Sequence, residues 1–186
     1  MKITQTPLAG VKIIEPDRFE DERGWFAELW NEERYRAAGI TVTFAQDNVS
    51  YSRRGVLRGM HYQTPNEQGK LVCVLAGAVF DAVVDVRRGS PMFGRWYGCE
   101  LSGDSGRQLW VPEGFAHGFL VLSDEALVHY SCTVPYHAAS DQSLAWNDPD
   151  VGIEWPEVPL RVSSRDEAAP RLRRLDPGQL PPLRPG

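Results

Sequence analysis

Residues Lys70–Val86 read KLVCVLAGAVFDAVVDV, two strongly apolar runs joined by Ala76-Gly77, and this stretch decides the fold class. The first run, Lys70–Leu75, is largely apolar on both of its alternating faces, as is typical of a strand that packs on two sides. The Ala76-Gly77 pair predicts a tight hairpin turn between the two runs. The stretch therefore predicts two strands of a β-protein, the first of them buried on both faces.

Short β-like runs of the same kind, separated by Gly, Pro and Asn, recur between residues 25 and 134. Many short strands at regular spacing predict an all-β sandwich or barrel. One short helix is predicted as well, with Asn31 as its N-cap and Gly39 just past its end. The predicted strands are Trp25–Trp30, Val42–Tyr51, Val56–Gln63, Lys70–Leu75, Ala78–Val86, Gly94–Leu101, Gln108–Val111, Phe119–Leu122 and Leu127–Val134.

The composition limits the class of protein. We expect residues 1–186 to form a single domain with a Pro- and Arg-rich tail at about 171–186, extended or frayed from residue 176. The net charge of −5 argues against a nucleic-acid-binding protein, which would normally carry a basic stripe. No apolar run approaches the roughly 18 residues of a membrane span, and no secretion signal follows Met1. With three cysteines that lack CxxC spacing, this predicts a cytoplasmic protein with free thiols and no membrane association.

A histidine lies in the middle of the predicted strand Val56–Gln63. Regular alternation places His61 and Arg58 on opposite faces of this strand. If the two side chains share a pocket, the strand must contain a β-bulge, and Gly59 is the residue that permits it. His61 is then either a functional imidazole or a structural histidine held by hydrogen bonds.

A second histidine follows a tight turn in the segment Pro112–His117, PEGFAH. The Pro-x-Gly-x-x-His pattern resembles the second motif of cupins, where this histidine binds a metal together with an HxH pair and a carboxylate from the first motif. Here the first motif reads His61-Tyr62-Gln63, with glutamine in place of the second histidine. Two imidazoles and a neutral amide are a poor ligand set for a divalent ion. The pattern favours acid–base or binding roles for the histidines, with a metal site as the alternative.

Tyr130 lies in the predicted strand Leu127–Val134. Alternation groups Tyr130 with Val128 and Cys132, so its phenol should point into the barrel while His129 faces outward. A buried tyrosine hydroxyl needs a hydrogen-bond partner. Tyr130 is therefore either a functional phenol or a core tyrosine whose hydroxyl is bonded to the backbone.

Further short motifs follow one another along the chain: 21–26 (DERGWF), 44–48 (FAQDN), 57–63 (LRGMHYQ), 68–72 (QGKLV), 90–96 (SPMFGRW), 110–119 (WVPEGFAHGF), 146–148 (WND), 152–156 (GIEWP) and 164–166 (SRD). Their joint order resembles the dTDP-4-dehydrorhamnose 3,5-epimerase family over about residues 8–170. The resemblance implies a cupin-type double-stranded β-helix, or jelly roll, with one or two short helices. It also implies a homodimer that needs no metal or organic cofactor.

The resemblance implies an activity: inversion of C3 and C5 of dTDP-4-dehydro-6-deoxy-D-glucose, which feeds dTDP-L-rhamnose synthesis. His61 would be the base and Asp166 would support its imidazolium. Lys70 would face the oxyanion that develops at C4. Tyr130 would return a proton from the opposite face of the sugar ring, because inversion requires a donor on the other side from the base.

Binding positions carry over from the same resemblance. Arginine side chains suit the diphosphate, and Tyr136 would stack on thymine with help from Phe26, which could come from the partner subunit. Asp141 stands where a glutamate is expected. The residues matched to substrate-binding positions are Arg23, Phe26, Glu28, Gln46, Asn48, Arg58, Lys70, His117, Tyr136, Asp141 and Arg165.

Three alternatives to the 3,5-epimerase remain open at the level of sequence. One is a mono-epimerase that inverts only C3 or only C5 of a related deoxysugar. The second is a non-catalytic protein that binds sugar nucleotides, and the third is a metal-dependent cupin oxygenase. Regioselectivity depends on the shape of the pocket, which the sequence does not give.

Overall fold

The computed structural model describes residues 1–183 of the chain. It contains two short α-helices, α1 (Glu32–Ala37) and α2 (Ser164–Glu167). The strands in chain order are β1 (Lys2–Gln5), β2 (Lys12–Glu15), β3 (Arg18–Asp21), β4 (Gly24–Ala27), β5 (Gln46–Arg53), β6 (Val56–Gln63), β7 (Lys70–Ala76), β8 (Ala78–Asp85), β9 (Trp96–Ser102), β10 (Gln108–Val111), β11 (Phe115–Val121), β12 (Glu125–Cys132), β13 (Asp141–Ser143) and β14 (Arg161–Val162).

Two β-sheets pack face to face. The first sheet has the strand order β1-β2-β10-β7-β12-β5, and the second has the order β13-β6-β11-β8-β9 with β14 beside β6. Inward-facing residues of both sheets form one apolar core, for example Val72 of β7, Val83 of β8 and Val128 of β12. Strands β3 and β4 form a separate hairpin. This arrangement confirms the all-β sandwich predicted from the spacing of the runs.

The connection at Ala76-Gly77 differs from the prediction. Strand β7 pairs with β10 and β12, whereas β8 pairs with β9 and β11, so the chain crosses here from one sheet to the other. Gly77 has φ +77°, and a Cβ atom there would lie 2.1 Å from the carbonyl oxygen of Glu125. The predicted hairpin is wrong. The apolar pattern of the two runs shows that both strands are buried, but it does not show which strands each of them pairs with.

The β-bulge predicted at Gly59 is confirmed. His61 pairs with His117 and Arg58 pairs with Phe119, so β6 has one more residue than β11 between these two pairs. Gly59 has φ +133°, and a Cβ atom on it would lie 2.5 Å from the Cα atom of Gly118. Only glycine fits this close approach of the two strands. The bulge turns the side chains of both Arg58 and His61 toward the interior of the sandwich.

Each sheet is also covered on its outer face. Helix α1 begins at the predicted N-cap, where the side chain of Asn31 accepts a hydrogen bond from the backbone N–H of Arg34 at 3.1 Å. The helix places Tyr35 against Leu71 and Trp110 on the first sheet. None of the helices in residues 1–183 combines the length and the apolar character needed to cross a membrane.

The segment after residue 143 covers the second sheet and includes most of the predicted tail. Leu175 is buried against the outer face of this sheet, and Leu172 and Leu180 pack beside it. Pro182 forms a β-bridge with Arg88. Within 176–183, Leu180 packs on this face and Pro182 is bridged to the sandwich, while most of the other residues are exposed. Residues 184–186 lie outside the described part.

The bounds of several strands differ from the predicted ones. Strand β11 begins at Phe115 and not at Phe119, so His117 lies inside the strand and not before it. Strand β4 ends at Ala27, and β5 begins at Gln46. The short strands before residue 24 and after residue 140 were missed, because runs of two to four residues carry too little alternation to be recognised.

Candidate active site

One end of the sandwich opens into a pocket of about 540 Å³ between the two sheets. A cavity of this size matches those that bind small molecules. Alternate, inward-facing positions of the strands supply most of its lining. The lining residues are Gln46, Asn48, Ser50, Val56, Leu57, Arg58, His61, Tyr62, Gln63, Gln68, Lys70, His117, Phe119, Tyr130, Tyr136, Asp141, Arg161, Ser163, Arg165 and Asp166.

His61 is held by a carboxylate, as the family resemblance implies. Its Nε2 atom lies 2.6 Å from Oδ1 of Asp166, which is buried at the start of α2. Burial acts to raise the pKa of Asp166, but the hydrogen bonds from His61 and Ser163 outweigh it, and the pKa is lowered. Asp166 is therefore a stable anion. Because it contacts Nε2 of His61, the other ring nitrogen, Nδ1, has no protein partner among residues 1–183.

Lys70 extends from β7 into the same pocket and is almost completely buried. Burial lowers the pKa of its ammonium group, while the negative charges of nearby groups, Asp141 and Asp81 among them, work against this shift. Within the described chain, Nζ of Lys70 makes no hydrogen bond to protein. A buried ammonium group that is free to donate is suited to an anionic oxygen on a ligand.

Tyr130 points into the sandwich, as alternation predicts, and packs beside the central core. Burial raises the pKa of its phenol, so the group is a neutral O–H donor near neutral pH. This hydroxyl makes no hydrogen bond within residues 1–183, which sets aside the core tyrosine bonded to backbone. His129 lies on the other face of β12, where its Nε2 atom is 3.3 Å from Asp47.

His61 and Tyr130 come from opposite sheets. His61 is on β6 of the second sheet and Tyr130 is on β12 of the first, and both line the space between the sheets. A flat ring bound in this space therefore has the imidazole on one side and the phenol on the other. This arrangement can remove a proton from one face of the ring and deliver a proton to the opposite face.

A group of polar side chains forms one rim of the pocket. The hydroxyl of Tyr136 donates to Asp141 at 3.0 Å, and Nη1 of Arg165 lies 2.8 Å from the same carboxylate oxygen. The side chain of Gln46 accepts a hydrogen bond from the backbone N–H of Tyr136 and donates to Asn48. These five predicted binding residues are therefore brought together at one edge of the pocket.

Arg58 lines the pocket between this rim and the histidines, with Nε donating to the hydroxyl of Ser52 at 3.0 Å. The remaining nitrogens of its guanidinium group are free to bind an anion such as a phosphate. Ser50 was not predicted, and its hydroxyl is buried in the pocket lining without a hydrogen-bond partner among the described residues. No feature of the sequence distinguishes Ser50 from an ordinary strand serine.

Three predicted binding residues lie outside this pocket. Arg23 and Phe26 belong to the β3–β4 hairpin, where Arg23 pairs with Asp21 and Phe26 is 68% exposed. Glu28 follows the hairpin and pairs with Arg34 of α1. Within one chain, none of these three side chains contributes to the pocket.

Gln63 is fixed by the backbone of the neighbouring loops. Its amide nitrogen donates to the carbonyl oxygen of Asn66 at 2.9 Å, and its amide oxygen accepts from the N–H of His137 at 2.9 Å. Both ends of the amide are thus used inside the protein. Residues 1–183 contain no cluster of three or more His, Cys, Asp or Glu side chains that could hold a metal ion.

Sequence reasoning missed a second pair of a histidine and a carboxylate. Nε2 of His117 lies 2.9 Å from both carboxylate oxygens of Asp81, which is completely buried on β8. Burial raises the pKa of Asp81, and the charges of His117 and Lys70 oppose that shift. The available signal was a single acidic residue in the middle of the apolar run Ala78–Val84.

Comparisons with known proteins identify the family of the chain. Residues 5–174 match the family model described as dTDP-4-dehydrorhamnose 3,5-epimerase. The chain is 49% identical over 175 residues to the dTDP-4-dehydrorhamnose 3,5-epimerase of Salmonella typhimurium strain LT2, covering 92% of this chain and 96% of that protein. It is 50% identical over 155 residues to the enzyme of the same name from Methanothermobacter thermautotrophicus, covering 83% of this chain and 84% of that one.

A solved structure has the same architecture throughout. The crystal structure of the dTDP-6-deoxy-D-glucose-3,5-epimerase RmlC from Legionella pneumophila Philadelphia 1, in complex with dTDP-4-keto-L-rhamnose, superimposes with a TM-score of 0.96. The two proteins are 49% identical, and the match covers 99% of each chain. The fold is thus the cupin-type jelly roll that the resemblance implies, and the chain belongs to the dTDP-4-dehydrorhamnose 3,5-epimerase family.

Proposed function

We propose that the protein inverts C3 and C5 of dTDP-4-dehydro-6-deoxy-D-glucose to give dTDP-4-dehydro-L-rhamnose, as a step in dTDP-L-rhamnose synthesis. The observation that carries this proposal is the placement of His61 and Tyr130 on opposite walls of one pocket, with the buried Lys70 beside them. The names of the relatives at 49–50% identity support the same activity.

The chemistry begins with a proton α to the C4 ketone. His61 takes this proton from C3 or C5, and the electron pair of the C–H bond forms an enolate whose negative charge resides mainly on the C4 oxygen. The ammonium group of Lys70 donates to that oxygen and stabilises the charge as it develops. One ketone acidifies both neighbouring carbons, so one pocket serves both inversions.

Inversion is completed from the other side of the ring. The phenol of Tyr130 delivers its proton to the carbon, the enolate returns to the ketone, and the configuration at that carbon is reversed. The imidazolium of His61 and the phenolate of Tyr130 then exchange protons with solvent, which restores both groups for the second carbon. Asp166 supports the imidazolium throughout the proton transfer.

The nucleotide is bound by the polar rim in this proposal. Tyr136 is half exposed at the mouth of the pocket, where its ring can stack on thymine. Arg58 and Arg165 supply charged donors for the diphosphate. The proposed setting of this reaction is the cytoplasm, where sugar nucleotides are made.

The proposed reaction uses only protons and protein side chains, so we predict that it is independent of divalent metal. The purified protein should convert dTDP-4-dehydro-6-deoxy-D-glucose at an unchanged rate after exhaustive treatment with a chelator, measured by NMR of the sugar. A sample with added Zn²⁺ or Mn²⁺ is the control. If chelation abolishes conversion and one metal restores it, the reaction is metal-dependent and the proposed mechanism is wrong.

We further propose a homodimer in which the partner subunit completes the nucleotide site. The β3–β4 hairpin exposes Phe19, Trp25 and Phe26, and the edge strand β5 exposes Val49 and Tyr51. Exposed apolar side chains beside an unpaired strand edge favour association with a second chain. A second copy would cover this surface and bring the hairpin to the neighbouring pocket.

Sedimentation should therefore give twice the chain mass of 20.9 kDa. Phe26→Ala should weaken the binding of dTDP measured by calorimetry, although Phe26 lies outside the pocket of its own chain. Phe93→Ala is the matched control, because Phe93 is also exposed but lies on neither the hairpin nor the pocket. A monomer at working concentration, or equal dTDP affinity in Phe26→Ala and the wild type, contradicts the shared site.

A further inference from the structure

The wall of the pocket contains a second imidazole–carboxylate pair, His117 with Asp81, and the proposed reaction does not use this carboxylate. His117 and His61 are direct cross-strand partners on β11 and β6, so their side chains are neighbours on the same face of the sheet. Each imidazole contacts a buried carboxylate through Nε2, His61 through Asp166 and His117 through Asp81. The two pairs lie side by side in one wall of the pocket.

The environment of Asp81 is unusual for a structural carboxylate. It is completely buried, and His117 is its one hydrogen-bond partner among residues 1–183. A buried carboxylate normally accepts several hydrogen bonds, because losing its hydration is costly. Asp85, four residues along the same strand, meets this requirement with the side chains of Arg87 and Ser90.

Electrostatic partners replace the missing hydrogen bonds of Asp81. Lys70 lines the pocket from the opposite sheet, and the negative charge of Asp81 opposes the lowering of the Lys70 pKa by burial. Lys70 itself makes no hydrogen bond to protein in the described residues. One buried anion is thus flanked by an ammonium group and an imidazole, and both of these cation-forming groups line the pocket while Asp81 lies behind them.

We propose that Asp81 is a positioning residue for the epimerisation: it accepts the Nε2 proton of His117, which fixes that imidazole in the pocket wall, and it places a negative charge near the ammonium group of Lys70, which is set to meet the negative charge that forms on the substrate. This inference rests on the proposed function. An ionised carboxylate can only accept, so the nitrogen of His117 that contacts it must carry a proton. The carboxylate also offsets part of the cost of burying the ammonium group of Lys70, whose pKa burial lowers.

In this arrangement we expect Asp81 to affect the rate of epimerisation more than the binding of the substrate. The ammonium group of Lys70 and the carboxylate near it matter most when the C4 oxygen becomes an enolate, and less when the neutral ketone binds. In the proposed function the rim binds the nucleotide part of the substrate, and Asp81 itself does not line the pocket. Loss of the Asp81 charge should therefore lower kcat and leave KM and the affinity for dTDP close to their wild-type values.

The test is Asp81→Asn, which keeps the size of the side chain and removes its charge. The expected result is a fall in kcat of about a hundredfold, with KM almost unchanged, somewhat less than the loss when an oxyanion donor is removed outright. Asp85→Asn is the matched control in the same strand, and it should lower the melting temperature while the folded fraction keeps its kcat. The inference is overturned if Asp81→Asn keeps the kcat of the wild type. It is also overturned if kcat falls only in proportion to the fraction of the protein that is unfolded.

A spectroscopic measurement keeps the two proposals separate. In ¹⁵N NMR of the imidazoles, Nε2 of His117 should carry a proton in the wild type, and this signature should change in Asp81→Asn. A wild-type protein that does not epimerise the sugar nucleotide contradicts the proposed function itself. A wild type that does epimerise it, but whose His117 signal is the same in Asp81→Asn, contradicts the role of Asp81 alone.

Discussion

Replacement of His61 by asparagine is expected to abolish exchange of the protons at both C3 and C5, with a loss of turnover of about 10²–10⁴-fold, the range for removing a general base. Asparagine fills a similar volume and can still hydrogen-bond to Asp166, but it cannot accept a proton at neutral pH. Both carbons lose exchange together because one base serves both. Calorimetry should give an affinity for dTDP close to that of the wild type, since in the proposed mechanism His61 acts on the sugar and does not bind the thymine.

The matched control is His129→Asn. His129 is on the outward face of β12, away from the pocket, so the same substitution should leave turnover unchanged. Normal exchange in His61→Asn would show that another group is the base. Of the pocket residues, His117 would then be the first candidate, because it is the cross-strand neighbour of His61.

Replacement of Tyr130 by phenylalanine is expected to separate exchange from inversion. The variant loses one hydroxyl that makes no hydrogen bond within the described protein, so the fold and the dTDP affinity should be retained. His61 can still remove a proton and return it to the same face, and deuterium should therefore still enter the sugar from deuterated water. Inverted product, particularly at C5, should fall by about 10²-fold or more, as expected when a positioned acid is lost.

Tyr97→Phe is the control for this experiment. Tyr97 packs against the same core from β9 and does not line the pocket, so loss of its hydroxyl should not affect inversion. The measurement is NMR of the sugar over time, with the label and the configuration read at each carbon. Inversion at the wild-type rate in Tyr130→Phe would mean that another group, or water, donates the proton.

Local sequence patterns predicted the parts of the site that depend on alternation. Tyr130 points inward because its strand alternates regularly, and the bulge at Gly59 follows once Arg58 and His61 share a pocket. Asn31 starts the helix because its side chain accepts the hydrogen bond of a free backbone N–H group. Such features are decided by a few neighbouring residues, so a single sequence contains enough information to predict them.

Features that depend on pairing between distant segments were not predictable in this way. The connection at Ala76-Gly77 crosses between sheets because β7 and β8 pair with other strands, a choice made by the whole sandwich. The contact between His117 and Asp81 depends on the register of β11 against β8, which no local pattern specifies. The exposed position of Phe26 is not specified by a local pattern either, and only the family resemblance implied that Phe26 acts through a second chain.

In the proposed function, one pocket inverts both carbons next to the C4 ketone. The experiment that tests this is incubation of the wild-type protein with dTDP-4-dehydro-6-deoxy-D-glucose in deuterated water, followed by NMR of the sugar. The proton that Tyr130 delivers comes from solvent, so deuterium should appear at both C3 and C5. Label at only one carbon would contradict the claim and identify a mono-epimerase, and no label despite tight nucleotide binding would identify a binding protein.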